Sequence, residues 1–365
     1  MENACLWIDT EAVFQNALQI QREAGPGRKL IPVLKGNAYG LGAVKIAEVL
    51  AKVPGVDTFA VSHAAEGLEL RGAGFEQNIL VMSLPLGFQL EEAASADLTL
   101  TLGAFHQFPL LKKTAEKLRR KIDVSLKVDT GLHRIGFEPS EAGRLCGTLK
   151  EAEGYLRIRG TFSHFSGDDP DVSAAQEEKL RLVLNALREA GIDPGICHIG
   201  SSASLEEGLG LDMDAVRVGR RLFLDSPRHP SGTIKEASAL RTWLTDVRLR
   251  RAGEPVGYGG SFVPENDMRV GIISMGYGDG LDPALARAGA PVLVNGRRAA
   301  FIACCMDQSF VNLGDIPAGP GDEVTVFGWD REGNILPSQE SAALIGCEGC
   351  DLTSRLTPRV RRKYL

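Results

Sequence analysis

Short apolar runs recur along the first 218 residues, and segments with helical spacing separate them. The runs are rich in valine, isoleucine and leucine, which is typical of strands that are buried on both faces. The intervening segments place apolar residues three or four positions apart, as in an amphipathic helix. Eight runs are predicted as strands, at residues 31–34, 58–62, 79–82, 98–102, 122–128, 156–163, 196–199 and 215–218.

Eight strands that alternate with helices predict an α/β fold of the (β/α)8 TIM-like barrel type, which we place at residues 9–230. The chemistry of such a barrel collects on the loops after its strands. A doubly wound sheet shows the same alternation, but no G-x-G-x-x-G motif follows a strand here.

After residue 230 the pattern changes to strands separated by glycine and aspartate turns. A C-terminal β-rich domain is therefore predicted at residues 231–365, and the apolar residues 4–8 form one more strand, which we assign to it as an N-terminal strand at residues 1–8. The basic residues 359–363 are interpreted as a solvated end of the chain.

Charge and cysteine content narrow the class of protein. A net charge of −6 argues against nucleic acid or an anionic membrane as partner. The sequence shows neither a run of transmembrane length nor a signal peptide, so a cytoplasmic protein is expected. The seven cysteines fit a reducing compartment, and the clusters Cys304-Cys305 and Cys347-Glu-Gly-Cys350 lack the spacing of a metal site, so no metal is expected.

Lys35 ends the first apolar run, directly before Gly36-Asn37-Ala38-Tyr39-Gly40. In apolar surroundings a lysine loses solvation, and the neutral amine that is then favoured can form a Schiff base with an aldehyde. A surface lysine with a snorkelling stem is the alternative interpretation.

Further reactive side chains follow later strands. Lys127 and Arg134 lie at the end of the fifth strand, where an arginine suits a carboxylate or a phenolic oxygen, and His164 follows the sixth. Ser202 follows the seventh strand, and Arg217-Val-Gly219 ends the eighth. Small hydroxyl residues and glycine in these last two loops are typical of a phosphate site, although an ordinary helix cap uses the same residue types.

Two tyrosines of the second domain are flanked by glycine, in Gly257-Tyr258-Gly259 and Gly276-Tyr277-Gly278. Such loops suit the presentation of a phenol to a site better than core packing. A phenol of ordinary pKa about 10 exchanges protons near neutrality only beside a cation or a histidine.

In this order the segments resemble the alanine racemase family over nearly the whole chain. The matching segments are Lys35-Gly-Asn-Ala-Tyr-Gly40, Lys127-Val-Asp-Thr-Gly131, Arg134, His164, Ser202, Val216-Arg-Val-Gly219, Gly257-Tyr-Gly259, Gly276-Tyr-Gly-Asp-Gly280, Met306-Asp-Gln308 and Pro358-Arg-Val360. The resemblance implies an isomerase: a pyridoxal 5'-phosphate (PLP) barrel followed by a β domain that interconverts L- and D-amino acids. It also implies a homodimer in which each active site borrows a tyrosine from the partner subunit.

Carried over residue by residue, the resemblance implies that Lys35 binds PLP covalently and that Lys35 and Tyr258 are the two catalytic acid/base groups, one on each face of the substrate. Arg217 would face the pyridine nitrogen, with His164 linking it to Tyr258. The implied phosphate ligands are Tyr39, Ser202, Gly219 and Arg220, the last two through backbone N–H groups. The implied substrate-binding residues are Arg134, the backbone of Met306, Lys127 as the group that orients Arg134 (a carbamate in some relatives), Tyr277 at the entrance, and Cys350.

Three departures from the family pattern bear on the substrate. Cys350 stands where the family has a tyrosine that narrows the pocket. Arg220-Arg221 adds two cations near the expected phosphate site. The segment His198-Ile-Gly-Ser-Ser202 is closer to the His-x-Gly-Ser pattern of related PLP decarboxylases. They predict alanine or a somewhat larger amino acid, such as serine or a basic one. A PLP-dependent decarboxylase or lyase and a catalytically silent PLP-binding regulatory protein are the alternative functions.

Overall fold

The computed structural model describes residues 2–167, 169–226 and 230–365; Pro227, Arg228 and His229, at the predicted domain boundary, lie outside the described residues. The strands are β1 (Ala4–Ile8), β2 (Lys29–Pro32), β3 (Thr58–Val61), β4 (Asn78–Val81), β5 (Leu98–Leu102), β6 (Ile122–Lys127), β7 (Leu156–Phe162), β8 (Ile196–His198), β9 (Ala215–Val218), β10 (Ser238–Arg250), β11 (Met268–Ile273), β12 (Pro291–Val294), β13 (Arg297–Cys304), β14 (Ser309–Asn312), β15 (Glu323–Trp329), β16 (Ile335–Leu336) and β17 (Arg361–Tyr364). The helices are α1 (Thr10–Ala24), α2 (Lys35–Tyr39), α3 (Ala43–Leu50), α4 (Ala64–Gly72), α5 (Leu90–Ser95), α6 (Gln107–Leu118), α7 (Ala142–Ala152), α8 (Pro170–Glu189), α9 (Ser202–Glu206), α10 (Pro283–Arg287), α11 (Ser338–Leu344) and α12 (Gly349–Ser354). Among these described helices, none is both long and apolar enough to cross a bilayer.

The predicted barrel is confirmed. Strands β2 to β9 form one parallel eight-stranded sheet in the order β2-β9-β8-β7-β6-β5-β4-β3. A parallel bridge between Val33 and Ala60, with the Leu34 N–H donating to the Ala60 carbonyl at 2.8 Å, brings the two edge strands together. All eight carboxyl ends therefore meet at one mouth, which is where reactive side chains were expected.

The barrel strands are apolar on both faces, which explains their nearly continuous hydrophobic sequence. Buried side chains on one face of the strands form a compact hydrophobic cluster, and those on the other face belong to the larger hydrophobic core. Members of the two clusters therefore alternate along the strands. On β3, for example, Ala60 belongs to the compact cluster, whereas Phe59 and Val61 belong to the larger core. This period of two is that of an extended strand.

The β-rich part predicted after the barrel is also confirmed. It is a nine-stranded sheet in the order β16-β15-β12-β13-β14-β11-β10-β1-β17, in which β15 additionally pairs with β10. Strand β1 at the N-terminus pairs antiparallel with β10 and parallel with β17.

The interpretation of residues 359–363 as a solvated end holds for the exposed Arg359 and Arg361 and is wrong for Arg362. Residues 361–364 form β17, and the Arg362 guanidinium donates to the carbonyl of Gly40 at 2.9 Å. The Tyr364 hydroxyl donates to the carbonyl of Leu41 at 2.8 Å. Arg362 was misread because β17 receives its backbone partner from β1, more than 350 residues away in the sequence. These contacts fix the segment just after Lys35.

Glu236 connects the segment before β10 to helix α11. Its carboxylate accepts the backbone N–H of Ser338, the first residue of α11, at 3.1 Å. Burial raises the pKa of Glu236 from its ordinary 4.5 to about 7, although the hydrogen bonds from Ser338 act in the opposite direction.

Replacement of Glu236 with glutamine is expected to stabilise the protein at pH 8 and not at pH 4. Between pH 4.5 and 7 the folded state holds a proton that the unfolded state has lost, so the free energy of unfolding falls as the pH rises. The amide keeps an acceptor for Ser338 and removes the buried charge, so we expect a gain of about 1–3 kcal/mol at pH 8. Urea unfolding at both pH values measures it. The matched control, Glu332→Gln in an exposed turn, should change neither value by more than about 0.5 kcal/mol; an equal effect of Glu236→Gln at both pH values would contradict the expectation.

Candidate active site

A cavity of about 600 Å³ lies at the carboxyl ends of the barrel strands. Ten of the predicted site residues line it: Lys35, Tyr39, Lys127, Arg134, His164, Ser202, Arg217, Gly219, Arg220 and Cys350. They come from five of the eight strand ends and from α12 of the C-terminal part, so residues far apart in the sequence share one space.

Lys35 opens an unusual backbone turn. The four residues after it all have positive φ, 61° at Gly36, 56° at Asn37, 52° at Ala38 and 54° at Tyr39, which is a left-handed turn. For residues with a Cβ this conformation costs roughly 1–2 kcal/mol each, and such strain collects at functional sites. The expected burial of Lys35 is wrong, because its side chain is exposed in the open cavity.

Hydrogen bonds and close contacts hold this turn in place. The Glu66 carboxylate accepts the N–H groups of Gly36 at 2.6 Å and Ser62 at 2.7 Å, which joins the loops after β2 and β3. A Cβ on Gly40 would lie 2.0 Å from the carbonyl oxygen of Thr353, so only glycine allows α12 to approach the turn this closely.

Tyr39, Ser202 and Gly219 form one wall of the cavity. A Cβ on Gly219 would lie 2.2 Å from the Tyr39 hydroxyl, and the Gly219 N–H donates to the Ser202 hydroxyl at 3.3 Å. Burial raises the pKa of Tyr39, so its hydroxyl stays protonated and can donate to an anion. The wall thus presents neutral hydroxyl and amide donors, which suit a phosphate.

Arg217 is buried and has uncharged partners. Its guanidinium lies 2.5 Å from Nδ1 of His198 and 3.1 Å from Nδ1 of His164, and it donates to the carbonyl oxygens of Ser163 at 2.8 Å and Ile199 at 3.2 Å. Within the described residues, none of the acceptors that it contacts is a carboxylate.

The protonation states around Arg217 follow from burial and from its own charge. Burial, and then Arg217, lower the pKa of His164 to about 3 and that of His198 well below its usual value. Burial also lowers the pKa of Arg217 to about 9, so at neutral pH the guanidinium remains charged between two neutral imidazoles.

Lys127 is the second lysine of the cavity. Its ammonium is buried, donates to the Val128 carbonyl at 2.7 Å and lies 5.6 Å from the centre of the Phe162 ring. Burial, together with the positive charges of Arg217 and Arg134, lowers its pKa to about 7. Arg134 is exposed in the cavity.

Helix α12 and the residue before it bring Glu348, Cys350 and Asp351 to the cavity. Burial, and then the charges of Glu348 and Asp351, raise the pKa of the Cys350 thiol to about 12, so this thiol is protonated. It therefore acts as a small neutral part of the wall.

Tyr258, Tyr277 and Met306 do not line the cavity of their own chain; we call these three residues the tyrosine patch. They are 76%, 46% and 50% exposed. The N–H of Gly278 donates to the Met306 carbonyl at 2.8 Å, and a Cβ on Gly257 would lie 3.0 Å from that of Ala303 on β13. The patch is thus a surface of the second sheet, separate from the cavity.

Sequence reasoning missed three residues that shape the site: Glu66 beneath the lysine turn, His198 against Arg217, and Glu348 on the cavity wall. The His-Ile-Gly-Ser segment signalled His198, although we interpreted it as a mark of another reaction. Neither glutamate belongs to a recognisable motif, because each acts through a contact between loops that are distant in the sequence.

The residues of the cavity fit PLP. A lysine can take its aldehyde, and neutral hydroxyl and amide donors suit its phosphate. The lack of a Cβ at Gly219 lets the Tyr39 hydroxyl pack directly against the backbone of the phosphate wall. The charged guanidinium of Arg217 lines the same cavity and suits a ring nitrogen.

Comparison with known proteins assigns the family. The family model described as "Alanine racemase, N-terminal domain" matches residues 8–227, and "Alanine racemase, C-terminal domain" matches residues 237–364. The biosynthetic alanine racemase of Salmonella typhimurium is 35% identical over 378 residues and 100% of both chains, and the alanine racemase of Desulforamulus reducens is 33% identical over 98% of both. The crystal structure of the alanine racemase from Streptomyces lavendulae superposes with a TM-score of 0.92 at 29% identity, over 100% of this chain and 97% of that one. On the cavity, the fold and these matches, this chain belongs to the alanine racemase family and is a PLP-dependent amino-acid racemase.

Proposed function

We propose that this chain interconverts L- and D-alanine, and accepts a somewhat larger amino acid such as serine, by a two-base mechanism that uses Lys35 and Tyr258. The observation that carries the proposal is the buried Arg217, which shares a cavity with Lys35 and is held by neutral histidines and backbone carbonyls. A decarboxylase or lyase needs an acidic partner at the pyridine nitrogen to build a strong electron sink, and a guanidinium offers the opposite. The full-length matches to racemases likewise do not favour these alternatives.

When bound, PLP supplies an electron-withdrawing ring that acidifies the α-hydrogen of the substrate. Racemisation then needs one group to remove a proton and a second group to deliver one from the opposite face. Lys35 is the group on the barrel side, and the phenol of Tyr258 is the group opposite it. His164 stays neutral beside Arg217. It can therefore accept a hydrogen bond from Arg217 at one ring nitrogen and donate one from the other without becoming charged.

Arg217 limits the reaction to racemisation. Its charge persists at neutral pH, so it would donate a hydrogen bond to the ring nitrogen of bound PLP and favour the unprotonated nitrogen. A ring held in this way would withdraw less charge from the substrate, which would disfavour side reactions such as transamination. Tyr39, Ser202 and the N–H groups of Gly219 and Arg220 would hold the phosphate.

The substrate carboxylate is assigned to Arg134 and to the backbone N–H of Met306, with Lys127 orienting Arg134. A guanidinium binds a carboxylate through two parallel hydrogen bonds. Because the pKa of Lys127 is about 7, much of this amine is neutral at physiological pH and can react with carbon dioxide, which is how a carbamate would form.

The active site is proposed to be shared between two subunits of a homodimer. The proposal is supported by Tyr258 and Met306, which are exposed on the tyrosine patch and do not line the cavity of their own chain, so a second copy would supply them. Tyr277 of the same patch would then stand at the entrance. We place this dimer in the cytoplasm, because all seven cysteines are free.

The purified protein with PLP is expected to racemise alanine and, more slowly, serine, with exchange of the α-hydrogen for solvent deuterium. Chiral chromatography of a panel of twenty amino acids measures this directly. Release of carbon dioxide without a change of enantiomer would favour the decarboxylase, and unchanged enantiomers with every amino acid would favour the silent regulatory protein.

The substitution Cys350→Tyr is the matched test of substrate size in the same assay. A phenol in place of the half-buried thiol narrows the cavity, so the ratio of kcat/KM for alanine to that for serine should rise by about 10-fold. Cys347→Ser, at a residue that does not line the cavity, should leave the ratio unchanged. An unchanged ratio in Cys350→Tyr would contradict the size argument.

A further inference from the structure

Arg220 presents a guanidinium at the wall that we assign to the cofactor phosphate. It follows β9 directly, it lines the cavity beside Tyr39, Ser202 and Gly219, and its side chain is 11% exposed. Its Nη2 donates to Oε1 of Glu206 at 2.7 Å. Its Nη1 lies 3.6 Å from Oε1 of Glu348, beyond hydrogen-bond distance. A guanidinium has five N–H groups and Glu206 accepts one of them, so further donors are left for an anion at this wall.

The two carboxylates beside Arg220 are held very differently. The Glu206 side chain is 6% exposed, and its second oxygen accepts the hydroxyl of Ser226 at 2.6 Å. The first oxygen also lies 3.6 Å from Nε of the buried Arg221, so Glu206 is fixed on several sides. Glu348 is 50% exposed, and its closest side-chain neighbours are Arg220 at 3.6 Å and the Cys350 thiol at 3.8 Å. Glu348 can therefore leave Arg220 at little cost.

The remaining ligands proposed for the phosphate are all neutral. They are the hydroxyl groups of Tyr39 and Ser202 and the backbone N–H groups of residues 219 and 220. A phosphate monoester carries close to two negative charges at neutral pH, and hydrogen bonds to a charged donor are about twice as strong as those between neutral groups. Of the five basic side chains that line the cavity, Arg220 is the one that follows Gly219 directly in the phosphate wall.

We propose that the Arg220 side chain is a direct ligand of the cofactor phosphate and that it exchanges Glu348 for the phosphate when PLP binds. Glu206 stays hydrogen-bonded to one edge of the guanidinium throughout. Glu348, which is weakly held, moves away and leaves the other edge to the phosphate. The proposal adds a charged side-chain contact to the backbone contact assigned to residue 220. It rests on the proposed function, because it requires PLP in this cavity.

The experiment compares PLP with pyridoxal, which has the same aldehyde and ring and no phosphate. The full chain is freed of cofactor with hydroxylamine and retitrated with each aldehyde, following the visible absorption band. Arg220→Gln keeps a hydrogen-bond donor for Glu206 and removes the charge; it should raise the Kd for PLP by about 10- to 100-fold and that for pyridoxal by less than about 3-fold. Glu348→Gln removes the competing carboxylate and should lower the Kd for PLP by about 2- to 5-fold without affecting pyridoxal.

The opposite signs of the two variants separate the proposal from a merely structural role. Inorganic phosphate should also compete with PLP more strongly in the unsubstituted protein than in Arg220→Gln. Equal weakening of PLP and pyridoxal in Arg220→Gln would overturn the proposal, as would an unchanged or raised Kd for PLP in Glu348→Gln. If Arg220→Gln does not fold, Glu348→Gln alone decides. If neither aldehyde gives a band with the unsubstituted protein, the proposed function itself fails.

Discussion

Substitution of Lys35 with alanine is expected to reduce racemisation by at least about 10⁴-fold, because it removes both the covalent attachment of PLP and one of the two bases. After borohydride reduction, mass spectrometry should find the PLP label on Lys35 in the unsubstituted protein and on no residue in Lys35→Ala. Formation of D-alanine from L-alanine, followed by chiral chromatography, gives the rate.

The control is Lys45→Ala, which removes an exposed lysine of α3 that pairs with Glu48 and should leave the rate unchanged. The cavity provides a second internal comparison, since Lys127 also lines it and its lowered pKa leaves much of this amine neutral at pH 7. A borohydride label on Lys127 would contradict the assignment of Lys35.

Substitution of Tyr258 with phenylalanine is expected to lower the rate of racemisation by about 10²- to 10⁴-fold while PLP still binds, because one of the two acid/base groups is lost and the ring is kept. The remaining base should still exchange the α-hydrogen of one enantiomer, so deuterium should enter that enantiomer much faster than the other. Proton NMR in deuterium oxide measures both rates. Equal exchange rates for the two enantiomers would contradict the role of Tyr258.

Mixing the two inactive variants tests whether the site is shared between subunits. In a hybrid dimer of Lys35→Ala and Tyr258→Phe, one site loses both groups and the other regains both. Random reassortment of subunits should therefore restore about one quarter of the active sites. If Lys35 and Tyr258 served within one chain, every hybrid site would lack one group, and no activity would return.

The barrel was predictable because each strand is short, apolar on both faces and followed by a break in the pattern. The strand ends also gave nine of the ten predicted site residues that line the cavity, since parallel strands carry whatever follows them to one mouth. Which side chains face each other there was not predictable. The approach of His198 to Arg217, for example, depends on the relative positions of β8 and β9 and on an aromatic ring from β7.

The lysine segment shows the same limit at the level of the backbone. Glycine-rich sequence indicated a loop, yet a left-handed turn through Asn37, Ala38 and Tyr39 runs against the preferences of Ala38 and Tyr39, although asparagine tolerates it. It is held by partners from other parts of the chain, Glu66 on α4 and the glycine contact with α12. Local sequence carries no information on such partners, so both the turn and the open position of Lys35 had to come from the structure.

The contacts of β17 with the lysine segment also constrain when the site can form. Arg362 and Tyr364 reach Gly40 and Leu41 across 322 and 323 residues of sequence. A ribosome that adds roughly 5–20 residues per second needs tens of seconds to cover that distance. During this interval the nascent barrel has its reactive amine but not the strand that steadies it, so loading with cofactor is expected to follow the synthesis and pairing of β17.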